Sequence, residues 1–169
     1  MAYVLERSQE IAADPDAVFA FFSDPANLAR ITPPWLRFRI HGEPPAHLAA
    51  GSRIEYRISW TLATLRWVTR IASWVPPTAF VDVQERGPYR TWIHTHRFTP
   101  TRRGVRMDDR VEYALPFGAL GRLAHALRVR RQLVEIFDYR RRAIEQIFPA
   151  PASSDGRRAA SVPREAPAR

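Results

Sequence analysis

Hydrophobic and polar side chains alternate along most of the chain between residues 51 and 114. In the clearest stretch Ile54, Tyr56 and Ile58 alternate with arginine and glutamate, which predicts a half-buried β-strand because successive strand side chains point to opposite faces. The predicted strands cover residues 3–11, 36–41, 51–59, 64–74, 80–85, 89–98 and 105–114. Short turns join the later strands, so the pattern predicts an antiparallel meander and not a βαβ series.

Two short helices are predicted directly after the first strand. Asp14-Pro15-Asp16 supplies an N-cap, a first-turn proline and a first-turn acid, the usual start of a helix, and residues 17–22 are apolar. A second helix is predicted over residues 25–30. It ends before Pro33-Pro34, because the residue preceding a proline is pushed out of the helical conformation.

Residues 118–148 change to helical periodicity and predict one long amphipathic helix. Apolar side chains recur there at steps of three, four or seven: Leu123, Leu127, Val134, Phe137, Ile144 and Phe148. An uninterrupted helical period also places Arg130 and Arg141 within this apolar face. Either they reach solvent along their alkyl stems, or one of them projects inward to meet an anionic group of a ligand.

Length and composition indicate one domain with a short tail. The 169 residues are 46% hydrophobic, which is enough for one core and too few for a second domain of ordinary size. Residues 1–148 form the predicted α+β domain. Residues 149–169 are rich in proline, alanine and arginine, and we predict a disordered tail there because they cannot bury enough apolar surface to order themselves.

The net charge of +9 comes from 26 arginines against 17 acidic residues, with no lysine. A basic surface could dock on nucleic acid or anionic lipid, but the arginines are scattered and no nucleic-acid-reading motif accompanies them, so no specific nucleic-acid partner is predicted. The absence of cysteine excludes a disulfide scaffold and thiolate metal sites. Neither a signal peptide nor a membrane span is recognised, which predicts a cytoplasmic location.

The most informative strand is residues 89–98. Trp92, His94, His96 and Phe98 share one of its faces, because side chains two residues apart on a strand point the same way. A face that is apolar but carries polar points suits the lining of a ligand cavity better than a fully packed core.

Several collinear motifs together resemble a known family. They are Leu28-Ala29-Arg30-Ile31-Thr32-Pro33-Pro34-Trp35, Gly87-Pro88-Tyr89 leading to Trp92-x-His94-x-His96-x-Phe98, Asp109-Arg110-Val111-Glu112-Tyr113-Ala114-Leu115-Pro116-Phe117-Gly118, and Ile136-Phe137-Asp138-Tyr139-Arg140. With the order of elements, they make residues 3–148 similar to the ligand-binding SRPBCC proteins of the START and Bet v 1-like superfamily, whose relatives include polyketide cyclases and dehydrases. The resemblance implies a helix-grip fold, in which a curved antiparallel sheet wraps around a long C-terminal helix and leaves a hydrophobic cavity between them.

We therefore predict that the protein binds a hydrophobic or amphipathic small molecule, lipid-like or polyketide-like, in that cavity, with no cofactor and no metal. The inward strand and helix faces give the expected lining: Tyr56, Ile58, Trp67, Thr69, Ile71, Trp92, His94, His96, Phe98, Val111, Tyr113, Leu127, Val134 and Phe137.

The alternative is an enzyme similar to a polyketide aromatase/cyclase or dehydratase. His94 or His96 would be its general base, tuned by Asp82 or Asp109, because removing a proton beside a carbonyl needs a base that titrates near neutrality. Tyr56 or Tyr113 would polarise the substrate carbonyl. A metal site would need a third ligand beside the two histidines, so the simpler interpretation is that they are hydrogen-bonded lining residues.

Overall fold

The computed structural model describes residues 2–60 and 63–150, and most of the predicted tail, residues 151–169, lies outside them. Seven strands are formed: β1 Tyr3–Ile11, β2 Arg39–Ile40, β3 Arg53–Trp60, β4 Ala63–Val75, β5 Ala79–Arg86, β6 Thr91–Thr101 and β7 Gly104–Ala114. The helices are α1 Pro15–Ser23, 3₁₀ turns at Pro25–Ile31 and Pro34–Leu36, and a C-terminal helix composed of α2 Gly118–Ala124, a π-helical segment His125–Val129 and α3 Arg130–Ile147.

The strands form one curved antiparallel sheet in the order β1-β7-β6-β5-β4-β3-β2. From β2 to β7 each strand pairs with its neighbour in sequence, and β1 closes the order by pairing with β7, from Tyr3 opposite Tyr113 to Ile11 opposite Val105. The predicted meander and the helix-grip arrangement are confirmed. No helix in the described part of the chain combines the length and the apolar character that crossing a membrane requires.

The start of α1 follows the predicted capping signal. The carboxylate of Asp14 accepts hydrogen bonds from the backbone amides of Asp16 and Ala17 at 3.0 and 3.1 Å, which satisfies amides that have no partner within the helix. Asp24 caps the following 3₁₀ helix in the same way through the amide of Ala26 at 2.9 Å.

The strand predicted over residues 36–41 is mostly wrong. Only Arg39 and Ile40 pair with β3, while Pro34–Leu36 is a 3₁₀ turn and Arg37 is left-handed with φ 44°. Proline at the start of the turn fixes φ near the helical value, so the segment winds instead of extending.

The predicted apolar face of the C-terminal helix is also wrong in its first half. The buried side runs through Gly121, His125, Val129, Leu133 and Phe137, while Leu123 and Leu127 are 56% and 74% exposed. An ideal α-helix rotates about 40° over each step of four residues. The π-helical turn winds more slowly because its hydrogen bonds span five residues, and it thereby keeps the four-residue series facing the sheet.

Candidate ligand-binding site

A cavity of about 190 Å³ lies between the sheet and the C-terminal helix. It is many times the roughly 10–15 Å³ that one water molecule needs. The sheet contributes side chains from β3 to β6, and α3 contributes Gln132, Leu133, Ile136, Phe137 and Arg140. The 3₁₀ turns and the loop before β3 complete the wall with apolar residues such as Leu28, Ile31, Leu36 and Leu48.

Most of the residues predicted to line the cavity lie on its wall: Tyr56, Ile58, Trp67, Thr69, Ile71, Trp92, His94, His96 and Phe137. All but Phe137 are inward residues of β3, β4 and β6, where the two-residue period leaves no choice of face. That these side chains contact a ligand stays a prediction.

The remaining predicted residues do not line it. Phe98 is packed against Phe19 and Phe22 in the core under α1. Val111 and Tyr113 are buried in a second core cluster beneath the C-terminal helix. Strand alternation predicts the correct inward face for these three residues. It does not predict which parts of that face are filled by other side chains and which parts border the cavity.

Leu127 and Val134 also lie away from the cavity. Leu127 is on the molecular surface, and the wall of α3 is formed by Leu133 and Gln132 instead of Val134. Both errors follow from applying an uninterrupted α-helical period across the π-helical turn.

Aromatic rings form the apolar part of the wall. Trp67 stacks on Tyr56 with ring centroids 5.9 Å apart and meets Trp92 edge-on at 5.3 Å. Tyr89 lies 4.8 Å from Trp92. Tyr56 shares a 3.2 Å hydrogen bond with Thr69, and burial raises the pKa of its hydroxyl, so Tyr56 is a neutral hydrogen-bonding group at neutral pH.

Polar chemistry is concentrated in four residues, here called the His–Asp cluster: Asp82, His94, His96 and Asp109. Asp82 lies opposite His94 across β5 and β6, and His96 lies opposite Asp109 across β6 and β7. Residues that face each other on adjacent strands share a face, so the sheet register brings all four side chains together.

The cluster is closely packed. His94 Nε2 lies 2.9 Å from Asp109 Oδ1, and His96 Nε2 lies 2.9 Å from Asp82 Oδ2. His96 Nδ1 is 2.8 Å from Asp109 Oδ1, at an angle too bent for a regular hydrogen bond. His94 Nδ1 is 3.7 Å from Asp82 Oδ2, beyond hydrogen-bond reach.

These contacts shift the pKa values of the two histidines in opposite directions. Burial, followed by the neighbouring His96, lowers the pKa of His94. Burial also acts to lower the pKa of His96, but its contacts with Asp109 and Asp82 outweigh that effect and raise it. A histidine with a carboxylate oxygen beside each ring nitrogen is suited to the protonated form, because its positive charge then faces two negative charges. His94 is suited to the neutral form, donating from Nε2 and keeping a lone pair on Nδ1.

Arg140 of α3 completes the charge balance from the helix side. Its Nε lies 3.6 Å from Asp109 Oδ2, and its guanidinium lies over the ring of Phe22 at 5.4 Å. Burial would raise the pKa of Asp109, but the charge of Arg140 and the hydrogen bond from His94 hold it well below its usual range. Arg130 and Arg141, the arginines considered from the sequence, are exposed and do not reach the cavity; Arg141 pairs with Glu145 at 3.1 Å.

Four buried polar atoms on the cavity wall have no regular hydrogen-bond partner among the described residues. They are Trp67 Nε1, His96 Nδ1, Gln132 Oε1 and Arg140 Nε. Trp67 and Arg140 offer donors there, and Gln132 offers an acceptor. Sequence reasoning missed Gln132 and Arg140 as wall residues. Gln132, Ile136 and Arg140 follow one another at steps of four residues, so they share one side of a helix. That spacing was the signal that could have placed Gln132 and Arg140 on the wall.

A third buried histidine, His125, lies apart from the cavity lining. Its Nε2 is 2.9 Å from the hydroxyl of Tyr113, and its ring stacks on Tyr3 at 3.5 Å. Burial, followed by the charge of Arg130, lowers the pKa of His125.

The family model described as polyketide cyclase / dehydrase and lipid transport matches residues 3–142. No curated protein matches the chain. Among solved structures, protein TTHA0849 of Thermus thermophilus is similar with 21% identity and a TM-score of 0.64, over 90% of this chain and 100% of the other.

Two further structures share the fold. Protein CV1439 of Chromobacterium violaceum has 15% identity and a TM-score of 0.65, over 86% of this chain and 96% of its own. The ginseng major latex-like protein 151 of Panax ginseng has 13% identity and a TM-score of 0.64, over 87% of this chain and 97% of its own. At these identities the likeness shows the fold alone.

Proposed function

Because the chain belongs to the polyketide cyclase/dehydrase and lipid transport family, we propose that it binds one lipid-like or polyketide-like small molecule in the cavity between the sheet and the C-terminal helix. The family supports hydrophobic ligand binding in general terms. The finer statement, that this cavity is the site and that its wall selects an amphipathic molecule, is our own.

The observation that carries the proposal is an apolar cavity whose wall holds unpaired polar atoms. An apolar ligand would gain about 25 cal/mol for each Å² of apolar surface removed from water. Trp67 Nε1 and Gln132 Oε1 have no partner within residues 2–60 and 63–150, and a buried polar atom left unpaired costs about 1–3 kcal/mol. A molecule with an apolar body and a hydroxyl group would meet both requirements, because a hydroxyl can donate to Gln132 Oε1 or accept from Trp67 Nε1.

The first test measures binding of a long-chain fatty alcohol and of an alkane of equal length. Quenching of tryptophan fluorescence is the readout. Gln132→Leu removes the acceptor, and Gln146→Leu makes the same change at an exposed position of α3. We expect Gln132→Leu to weaken alcohol binding about 3- to 10-fold, the equivalent of one net hydrogen bond, and to leave alkane binding unchanged or stronger.

Gln146→Leu should change neither affinity. If neither probe saturates the unaltered protein, or if Gln132→Leu and Gln146→Leu behave alike, the cavity is not the site of binding or Gln132 does not select the ligand. Native mass spectrometry of protein purified from its own host would identify a molecule that co-purifies.

A second candidate function is cyclase-like or dehydratase-like catalysis with His94 as the general base. The observation that favours it is that Asp109 orients His94 through Nε2 and leaves the Nδ1 lone pair of a cavity-wall histidine available. A correctly placed base contributes about 10²- to 10⁴-fold to the rate. His94→Gln should therefore abolish most turnover of a polyketide-like substrate while binding persists, and His125→Gln should retain turnover.

We do not favour the basic surface as the binding site. Several of its arginines are already paired, including Arg53 with Glu85 at 2.7 Å and Arg110 with Glu112 at 3.2 Å. The lack of a specific nucleic-acid partner and a cytoplasmic location stay predictions.

A further inference from the structure

We propose that Asp82, His94 and His96 bind one divalent transition-metal ion on the wall of the cavity. The three side chains offer one ligand atom each, and these atoms lie within 4.8 Å of one another. Asp82 Oδ2 is 2.9 Å from His96 Nε2 and 3.7 Å from His94 Nδ1. Two ligands of one ion, each bound at about 2.0–2.2 Å, lie roughly 3.0–3.5 Å apart. The two contacts of Asp82 are close to that spacing, and ligand atoms that lie farther apart, up to 4.8 Å, would have to move together to bind one ion.

The orientation of the two imidazoles supports this site. A metal-binding histidine usually donates its other ring N–H to a carboxylate or carbonyl, which fixes the tautomer and aims the lone pair at the metal. Asp109 Oδ1 lies 2.9 Å from His94 Nε2 and 2.8 Å from His96 Nδ1. Asp109 thus orients His94 by a regular hydrogen bond and only contacts His96 Nδ1. His94 Nδ1 and His96 Nε2 are left on the side of Asp82.

The local charge also favours a cation. Asp82 and Asp109 bring two negative charges into a largely buried site, and Arg140, 3.6 Å from Asp109, brings one positive charge. The net negative charge of these three groups favours a bound cation.

The donor set narrows the class of ion. Two imidazoles and one carboxylate, without thiolate, suit Fe²⁺, Co²⁺, Ni²⁺ or Zn²⁺ better than Ca²⁺ or Mg²⁺. Three protein ligands leave further positions open, and Asp82, His94 and His96 all line the cavity. Water or an oxygen atom of the bound molecule would occupy those positions. The ion would use the His94 lone pair, so a metal-bound His94 is a ligand and not the general base.

The test uses the untagged full chain, stripped with a chelator and dialysed, and titrated with Co²⁺ while the visible absorption bands of the ion are followed. We expect one ion per chain. His94→Gln, His96→Gln and Asp82→Asn should each lower the affinity at least tenfold. Asp109→Asn should lower it about 10- to 100-fold with unchanged stoichiometry, because it weakens the orienting acceptor and leaves the three ligands in place.

His125→Gln is the matched control, since it changes a buried histidine outside the His–Asp cluster and should leave the affinity unchanged. The proposal is overturned if the unaltered chain binds no Co²⁺ or if His125→Gln weakens binding as much as His94→Gln does. Pulsed EPR of Cu²⁺ bound to the unaltered chain needs no variant that must fold. Two coordinated imidazoles are expected, and fewer than two contradict the site.

Failure of this inference would not count against the proposed function. Fatty-alcohol binding measured in excess chelator reports on the cavity alone, whereas Co²⁺ titration without alcohol reports on the ion alone.

Discussion

Two places in this protein bury histidine, and they differ in what surrounds the rings. The His–Asp cluster places His94 and His96 between two carboxylates on the wall of the cavity. His125 is also buried but contacts the hydroxyl of Tyr113 and the ring of Tyr3. Burial alone therefore does not make a histidine a functional candidate; the charge of its partners and its access to a cavity do.

The largest difference between the two places is expected on removal of their partners. Asp109→Ala would leave Arg140 and both cluster histidines without their shared carboxylate, and breaking such a buried network costs about 3–5 kcal/mol. Urea denaturation of the chelator-treated protein measures this free energy of unfolding. Asp108→Ala is the matched control, because Asp108 pairs with exposed Arg106 and such pairs contribute about 0–1 kcal/mol. Equal effects of the two changes would mean that the cluster adds no special stability.

The corresponding change at the other histidine is Tyr113→Phe. It leaves His125 Nε2 without its partner, so we expect a loss of about 1–3 kcal/mol, the cost of one unsatisfied buried group. Affinity for Co²⁺ and for fatty alcohol should stay unchanged. A loss larger than that of Asp109→Ala would reverse the ranking of the two places.

Stability should also depend on pH in opposite directions at the two places. The folded pKa of His96 is raised, so its contribution is full below the unfolded pKa of about 6.5 and is lost as pH rises through the folded pKa. The folded pKa of His125 is lowered, so stability is lost as pH falls below the unfolded value.

The groups facing His96 are Asp82, Asp109 and His94, with Arg140 behind Asp109, and those near His125 are Tyr113, Tyr3 and Arg130. Metal-free His96→Gln should therefore be more destabilising at pH 5.5 than at pH 8.5 when compared with the unaltered chain, whereas His125→Gln should be more destabilising at pH 8.5. Urea denaturation of each variant at pH 5.5 and at pH 8.5 measures these differences in the free energy of unfolding. The same pH trend in both variants would show that their surroundings are not opposed.

The smallest effect is expected at Leu127, in the π-helical turn that carries His125. Leu127 is exposed, so Leu127→Ala should change the free energy of unfolding by no more than about 0.5 kcal/mol. The same change at buried Leu133 should cost about 2–5 kcal/mol. A large effect at Leu127 would mean that the helix faces the sheet as the sequence period predicts, with His125 turned outward.

The sheet and much of the cavity wall could be predicted because strand alternation is rigid. Ile54, Tyr56, Trp67 and Trp92 occupy the predicted inward faces. The approach of Asp82 and Asp109 to the two histidines was foreseen only as a set of alternatives. Which carboxylate contacts which nitrogen depends on the pairing register between β5, β6 and β7. The sequence of a single strand does not determine that register.

The C-terminal helix was predictable in extent but not in rotation. Its periodicity predicts a helix over residues 118–148, and the structure has one ending at Ile147. The π-helical turn at His125–Val129 then changes which side faces the sheet. No local sequence signal marks that turn, so an uninterrupted helical period predicts Leu127 on the inward side.

The order of strand pairing affects when each histidine acquires its neighbours as the chain folds. β5, β6 and β7 follow one another as hairpins, so the His–Asp cluster requires only short loops to close. Tyr3, which covers His125, reaches its place only when β1 pairs with β7 across most of the chain. Closing a longer loop costs more entropy, and distant pairings form slowly. We therefore expect a folding chain to assemble the cluster first and to shield His125 from water among its last steps.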